Sequence, residues 1–146
     1  MKSVPPSDAR RRWALRLLIV LAGYQVLLGA WFIVIRPPLL PEDLHYMQLD
    51  SLPDTTLSWL DLVFSVMGGQ MMATGLLLVP AIARLGSRQS ITSLHWACLL
   101  GAAAASAGTM SVVNFLLGSD FRWTLLVPVL VWGAVLALTA ADRARS

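Results

Sequence analysis

Five polar side chains, Gln25, Arg36, Asp61, Asn114 and Arg122, could do chemistry in a chain that has few charges to place. A carboxylate set among guanidinium and amide groups suits an outward-facing polar pocket, where directed hydrogen bonds orient a lipid headgroup or small polar ligand and apolar walls exclude water. Asp61 and Arg36 also admit a structural reading. If they lie at similar depth on an antiparallel hairpin, they form an ion pair that locks it.

Other reactive groups form no catalytic set. His45 and His95 fall on opposite sides of the expected membrane, so they cannot share a metal or a haem within one protomer. Cys98 lies three residues beyond His95, but a thiol and an imidazole without a third orienting group are weak grounds for a nucleophile. Met67, Met71 and Met72 fill packing gaps more readily than they bind copper in the absence of thiolates or paired histidines. No metal, cofactor or catalytic residue is expected.

The elements that position these groups follow from composition. The chain has 146 residues, of which 57% are hydrophobic and only 13% charged, with a mean hydropathy of +0.69. Too few polar groups are present to cover a soluble domain, so lipid must solvate most of the surface. The net charge of +3 does not indicate a nucleic-acid partner, because the basic residues sit in short gaps between apolar runs rather than on one face.

Uncharged apolar stretches at 17–35, 62–83, 94–117 and 123–141 each reach roughly 28 to 36 Å as helices, enough to cross a hydrocarbon core. Backbone groups in lipid must be paired within their own segment, and these runs are too long for barrel strands. The expectation is one all-α domain, an integral membrane four-helix bundle. Its spans are about 14–35, 58–80, 91–117 and 123–141, making two hairpins with a longer outer first loop at 36–57.

Lys2, Arg10, Arg11, Arg12, Arg16, Arg84, Arg88, Arg143 and Arg145 gather on one side, whereas the other has Arg36 and Arg122 among six acids. By the positive-inside rule both termini are cytoplasmic (N-in/C-in). The first run is too long for an ordinary signal peptide, and Leu28-Gly29-Ala30 is a poor cleavage site. Trp13, Trp59 and Trp123 mark the membrane edges; Trp132 does not fit that belt. The run 41–47 reads as a short helix in the outer loop, with Pro41 and acids at its start.

Helical geometry draws Ala97, Gly101, Ala104, Gly108 and Ser111 to within about 80° of one another, a small-residue stripe suited to tight packing inside the bundle or across a homodimer. In the second span Asp61, Ser65, Gly68, Met72 and Gly75 make a similar stripe. Gln70 points the opposite way from Asp61, and no acid lies at mid-depth, which argues against a continuous proton relay.

The stretch Phe64-Ser65-Val66-Met67-Gly68-Gly69-Gln70-Met71-Met72-Ala73-Thr74-Gly75-Leu76 resembles the second helix of small bacterial four-helix membrane families of the DoxX-like group, whose pattern is Phe-Arg-x-x-Gly-Gly-x-x-Leu-Ala-x-Gly-Leu. Ser65 stands where that pattern usually has Arg. The resemblance implies the four-helix fold and a bacterial origin, and it carries a link to redox stress or quinone-associated complexes.

The expected function is a non-catalytic accessory or self-associating membrane protein. Its partners are the lipid bilayer and either a second copy or another subunit of a membrane complex, with no nucleic acid. An alternative is a binding protein or enzyme for a lipophilic ligand, quinone or lipid, using the five polar residues above. An oligomeric transporter or channel ranks lowest, since no mid-membrane charge or broken helix pair supports alternating access.

Overall fold

The computed structural model describes residues 6–36, 39, 43–44, 47 and 52–143. Helix α1 (Pro6–Val34) is the first span; α2 (Asp54–Leu77) and α3 (Val79–Gly86) follow one another as the second. The third is α4 (Ser93–Ala103), a π turn (Ala104–Gly108) and α5 (Thr109–Leu116), and a 3-10 turn (Asp120–Arg122) leads into α6 (Leu126–Arg143), the fourth. No strand occurs among the described residues. The expected loop helix at 41–47 falls largely outside them, as does His45.

All four helical rods are long and apolar enough to cross a membrane. Only 17–22% of the most apolar window of each is buried, so the greasy side chains face outward, as in a multi-pass membrane protein. Trp13, Trp59 and Trp123 are exposed, whereas Trp132 is 2% exposed and packs inside.

Local sequence explains where the helices begin, break and end. Pro6 opens α1 and Asp8 lies in its first turn, where the fixed φ and the helix dipole favour them. The second span runs to Gly86 rather than stopping at 80. Pro80 lacks an N–H, so the ladder breaks at Leu78, which donates to Gly75 O at 3.2 Å. It restarts when Ile82 donates to Leu78 O at 3.0 Å, and Pro80 sits harmlessly in the first turn of α3.

The main contacts place the second span on the first, the first on the fourth, and the fourth on the third. Most of the core lies toward the arginine-rich end, where Ala14 and Leu18 meet Leu78, Ala81, Leu85, Ile91, Leu99 and Val135. Here Arg11 closes the end of the second span: its Nε donates to Leu85 O at 2.7 Å and its Nη2 to Arg84 O at 3.3 Å and to Leu85 O. A cation is favourable at that helix C-terminus, where the negative end of the helix dipole lies.

Toward the acidic end the first and second spans meet through their backbones. A Cβ placed on Gly68 would lie 2.5 Å from Gly29 O, one on Gly29 would lie 2.5 Å from Gly68 O, and one on Gly75 would lie 2.8 Å from Ala22 O. A Cβ at any of these three positions would require a helix to move. Gly23 and Gly69, on the same two helices, have nothing within 4 Å of a Cβ.

These two kinds of glycine should respond oppositely to substitution. Gly68→Val is expected to destabilise the protein by about 2–3 kcal/mol, as overpacking against rigid backbone does. Gly69→Ala should be neutral or stabilising by up to about 1 kcal/mol, since an open helical glycine gives up only entropy. Thermal unfolding in detergent measures both, and equal effects would refute the backbone contact.

Candidate functional site

Arg36 lies just past the last turn of α1, its own N–H donating to Trp31 O at 2.9 Å. Its side chain is only 5% exposed and pairs with Asp43 Oδ2 at 3.0 Å. The guanidinium carbon stands 3.5 Å from the centroid of the Phe64 ring and 5.4 Å from that of Phe32. The expected Asp61–Arg36 lock is therefore corrected: the partner is Asp43, and Asp61 stays on an exposed face of α2. A flat, weakly hydrated cation in apolar surroundings gains from stacking on ring faces, and the Phe64 ring of the second span supplies one.

The rest of the expected pocket is shared among other tasks. Asn114 Nδ2 donates to Met110 O at 2.9 Å on its own helix. Arg122 Nη1 donates to Gly118 O at 2.6 Å, and its guanidinium lies 5.9 Å from the Trp123 ring centroid. Trp123 stands edge-on to Phe115 with 5.2 Å between ring centroids. Arg122 and Trp123 thus tie the turn between the third and fourth spans, while the Asn114 amide stays on its own helix. Gln25 lies deep, 2% exposed, one helical turn from Gly29.

Gln25 Oε1 and Trp132 Nε1 are both buried and have no hydrogen-bond partner among the described residues. Buried positions on α1 run Ala14, Leu18, Leu21, Gln25, and those on α6 run Trp132, Val135, Thr139. The first and fourth spans pack on one another. Gln25 Oε1 is an acceptor and Trp132 Nε1 a donor, and leaving each unpaired costs about 1–3 kcal/mol. Trp132 was not among the expected site residues; its place away from the aromatic belt was the available signal.

The third span departs from the expected stripe. Its buried positions are Leu99, Ala103, Ala107 and Ser111, whereas Ala97, Gly101 and Ala104 are exposed and Gly108 is half-buried. On α4 the buried Leu99 and Ala103 lie opposite Ala97 and Gly101, and the π turn then brings Ser111 into that buried row. Thr109 donates its N–H and its Oγ1, the latter at 3.1 Å, to Ala104 O. That turn holds an extra residue, so the phase of the helix slips and the buried row advances in steps of four. A Cβ on Gly101 would have nothing within 4 Å. In the second span, Gly68 and Gly75 are buried against α1.

Thr92 caps α4, accepting from His95 N at 3.4 Å, and its Oγ1 lies 2.6 Å from His95 Nδ1. Cys98 is exposed. Trp96 Nε1 donates across to Leu136 O at 3.3 Å, fastening the third span to the fourth. No group of three metal-ligating side chains occurs among the described residues.

If the Phe64 face holds Arg36, Arg36→Lys should lower stability by about 1 kcal/mol, because a compact ammonium stacks less well than a planar guanidinium. A double-mutant cycle with Phe64→Leu, read from thermal unfolding, should return a coupling of similar size; a coupling near zero would reduce the ring to filler. Comparison of the chain with family models, curated proteins and solved structures gives no match.

Proposed function

We propose that this chain is a non-catalytic interaction protein of the bacterial cytoplasmic membrane that associates with a second copy of itself through the outward face of its third span. The observation that carries the reading is Ala97, Gly101 and Ala104 standing exposed on that helix, with open space over Gly101. Lipid tails are as apolar as leucine, so close backbone approach over small residues is a main source of attraction between spans. The arginine bias supports a cytoplasmic location for both termini. The glycine-rich second span, similar to that of DoxX-like proteins, supports the bacterial membrane.

Cys98, the chain's single cysteine, is exposed one residue from Ala97. In a two-fold contact through this face the two thiols come close. A bis-maleimide reagent applied to native membranes should trap a dimer, and Gly101→Leu should weaken association about tenfold, a loss of roughly 1.4 kcal/mol. A chain that remains strictly monomeric under these conditions would sink the reading.

A second reading is favoured by one specific observation. The unpaired acceptor on Gln25 and donor on Trp132 suit a lipophilic ligand carrying both a hydroxyl and a carbonyl, as an acylglycerol lipid does; a quinone, with carbonyls alone, would answer only Trp132. Native mass spectrometry of the purified protein should then find such a molecule bound and find it lost in Trp132→Phe. A ligand-free protein of unchanged stability in that variant would exclude it.

A further inference from the structure

Two helix ends in this molecule are built alike. At the end of the third span, Gly118 (φ +68°) donates to Phe115 O at 3.2 Å and Ser119 to Asn114 O at 3.0 Å. At the end of the second, Arg88 (φ +59°) donates to Leu85 O at 3.3 Å and Gln89 to Arg84 O at 2.9 Å. This closing motif needs a left-handed residue, and glycine adopts that conformation without strain. Arg88 is the only non-glycine residue with positive φ among those described. The backbone alone gives no reason for an arginine there, so the reason lies in its side chain.

Arg88 lines a cavity of about 130 Å³ between the start of α1 and the end of α3, together with Asp8, Arg11, Arg12, Leu15 and Leu85. Three guanidinium groups face one carboxylate there. Arg11 is held in place by the carbonyls of Leu85 and Arg84, so its charge is a fixed wall. Arg12 and Arg88 are exposed and can turn toward a ligand. Next to Arg12, Trp13 is 57% exposed, and Arg16 lies 5.4 Å from its ring centroid. That is an arrangement of the membrane–water interface, the level at which lipid phosphates lie.

We propose that this cavity binds a phosphate group, with Arg12 and Arg88 as its reaching cations and Arg11 as its rigid side. Guanidinium forks match phosphate oxygens in pairs, and a shallow position beside lipid leaves the charges less screened than in open water. The group belongs either to an anionic phospholipid or to a free phosphate. The site lies at the opposite end of the first span from Arg36 and needs no self-association.

The test uses the full chain in a zwitterionic detergent at low salt, with short-chain phosphatidylglycerol, short-chain phosphatidylcholine and inorganic phosphate as separate probes. Native mass spectrometry counts bound molecules, and thermal unfolding follows stabilisation. Phosphatidylglycerol should bind in preference to phosphatidylcholine and raise Tm. Arg88→Gly should raise Tm by a few degrees without lipid, by removing the strained conformation, yet weaken phosphatidylglycerol binding about fivefold. Arg12→Gln should weaken binding similarly, and Arg16→Gln, outside the cavity, should not. Equal or stronger stabilisation by inorganic phosphate supports the site with a free anion as occupant. The proposal fails if neither anion is preferred over phosphatidylcholine, if Arg88→Gly keeps full affinity, or if Arg16→Gln loses as much.

Discussion

With apolar side chains turned outward on all four spans, burial of greasy surface gives the helices little reason to come together in lipid, and the approach of Gly29 to Gly68 takes over that role. Two backbones this close gain dispersion along their length, and the gain exists only while both positions lack a side chain. The contact fixes the register of the first hairpin. Ala22 comes to face Gly75, and Phe64, one turn before Gly68, is brought to the end of α1 where Arg36 lies over its ring. Without this register the guanidinium would lose its aromatic face in the second span, and burying it would be costly.

The two ends of the molecule are held by different physics. The arginine-rich end has a side-chain core, closed by Arg11 on the last carbonyls of α3 and by Trp96 on Leu136 O. The acidic end depends on backbone proximity, stacked rings and the knotted turn around Gly118 and Arg122. At this acidic end Arg36, Asn114 and Arg122 each bond to a different partner instead of gathering around one ligand.

Much of this was legible in the residues. Four uncharged runs gave four helices, and seven-residue spacing drew Gly68 and Gly75 to one face of the second. The matching pair Ala22 and Gly29 has the same spacing, but Gly29 stood in a triplet weighed only as a cleavage site. Arg36 reads from the sequence as a cation at the outer end of the first span with Asp61 as its counter-ion; it pairs instead with Asp43, which lies outside the four apolar runs whose periodicity relates one span to another. The stripe from Ala97 to Ser111 assumed a constant 100° per residue. A π turn violates that assumption, and alanine-rich sequence carries no mark of one.

That slip also separates two surfaces that one regular helix would have merged. A uniform α-helix would place Ala97, Gly101 and Ala104 on the same side as Ser111, so the small residues would be buried with it or exposed with it. The widened turn at Ala104–Gly108 lets the row from Leu99 to Ser111 be buried as it advances in steps of four, while Ala97, Gly101 and Ala104 remain outside. Thr109 Oγ1 donates to the Ala104 carbonyl that the irregular ladder shares, which helps keep backbone oxygen satisfied at membrane depth. A single inserted residue thus leaves the third span with an inner row for the fourth span and an outer row of small residues that no other span of this chain occupies.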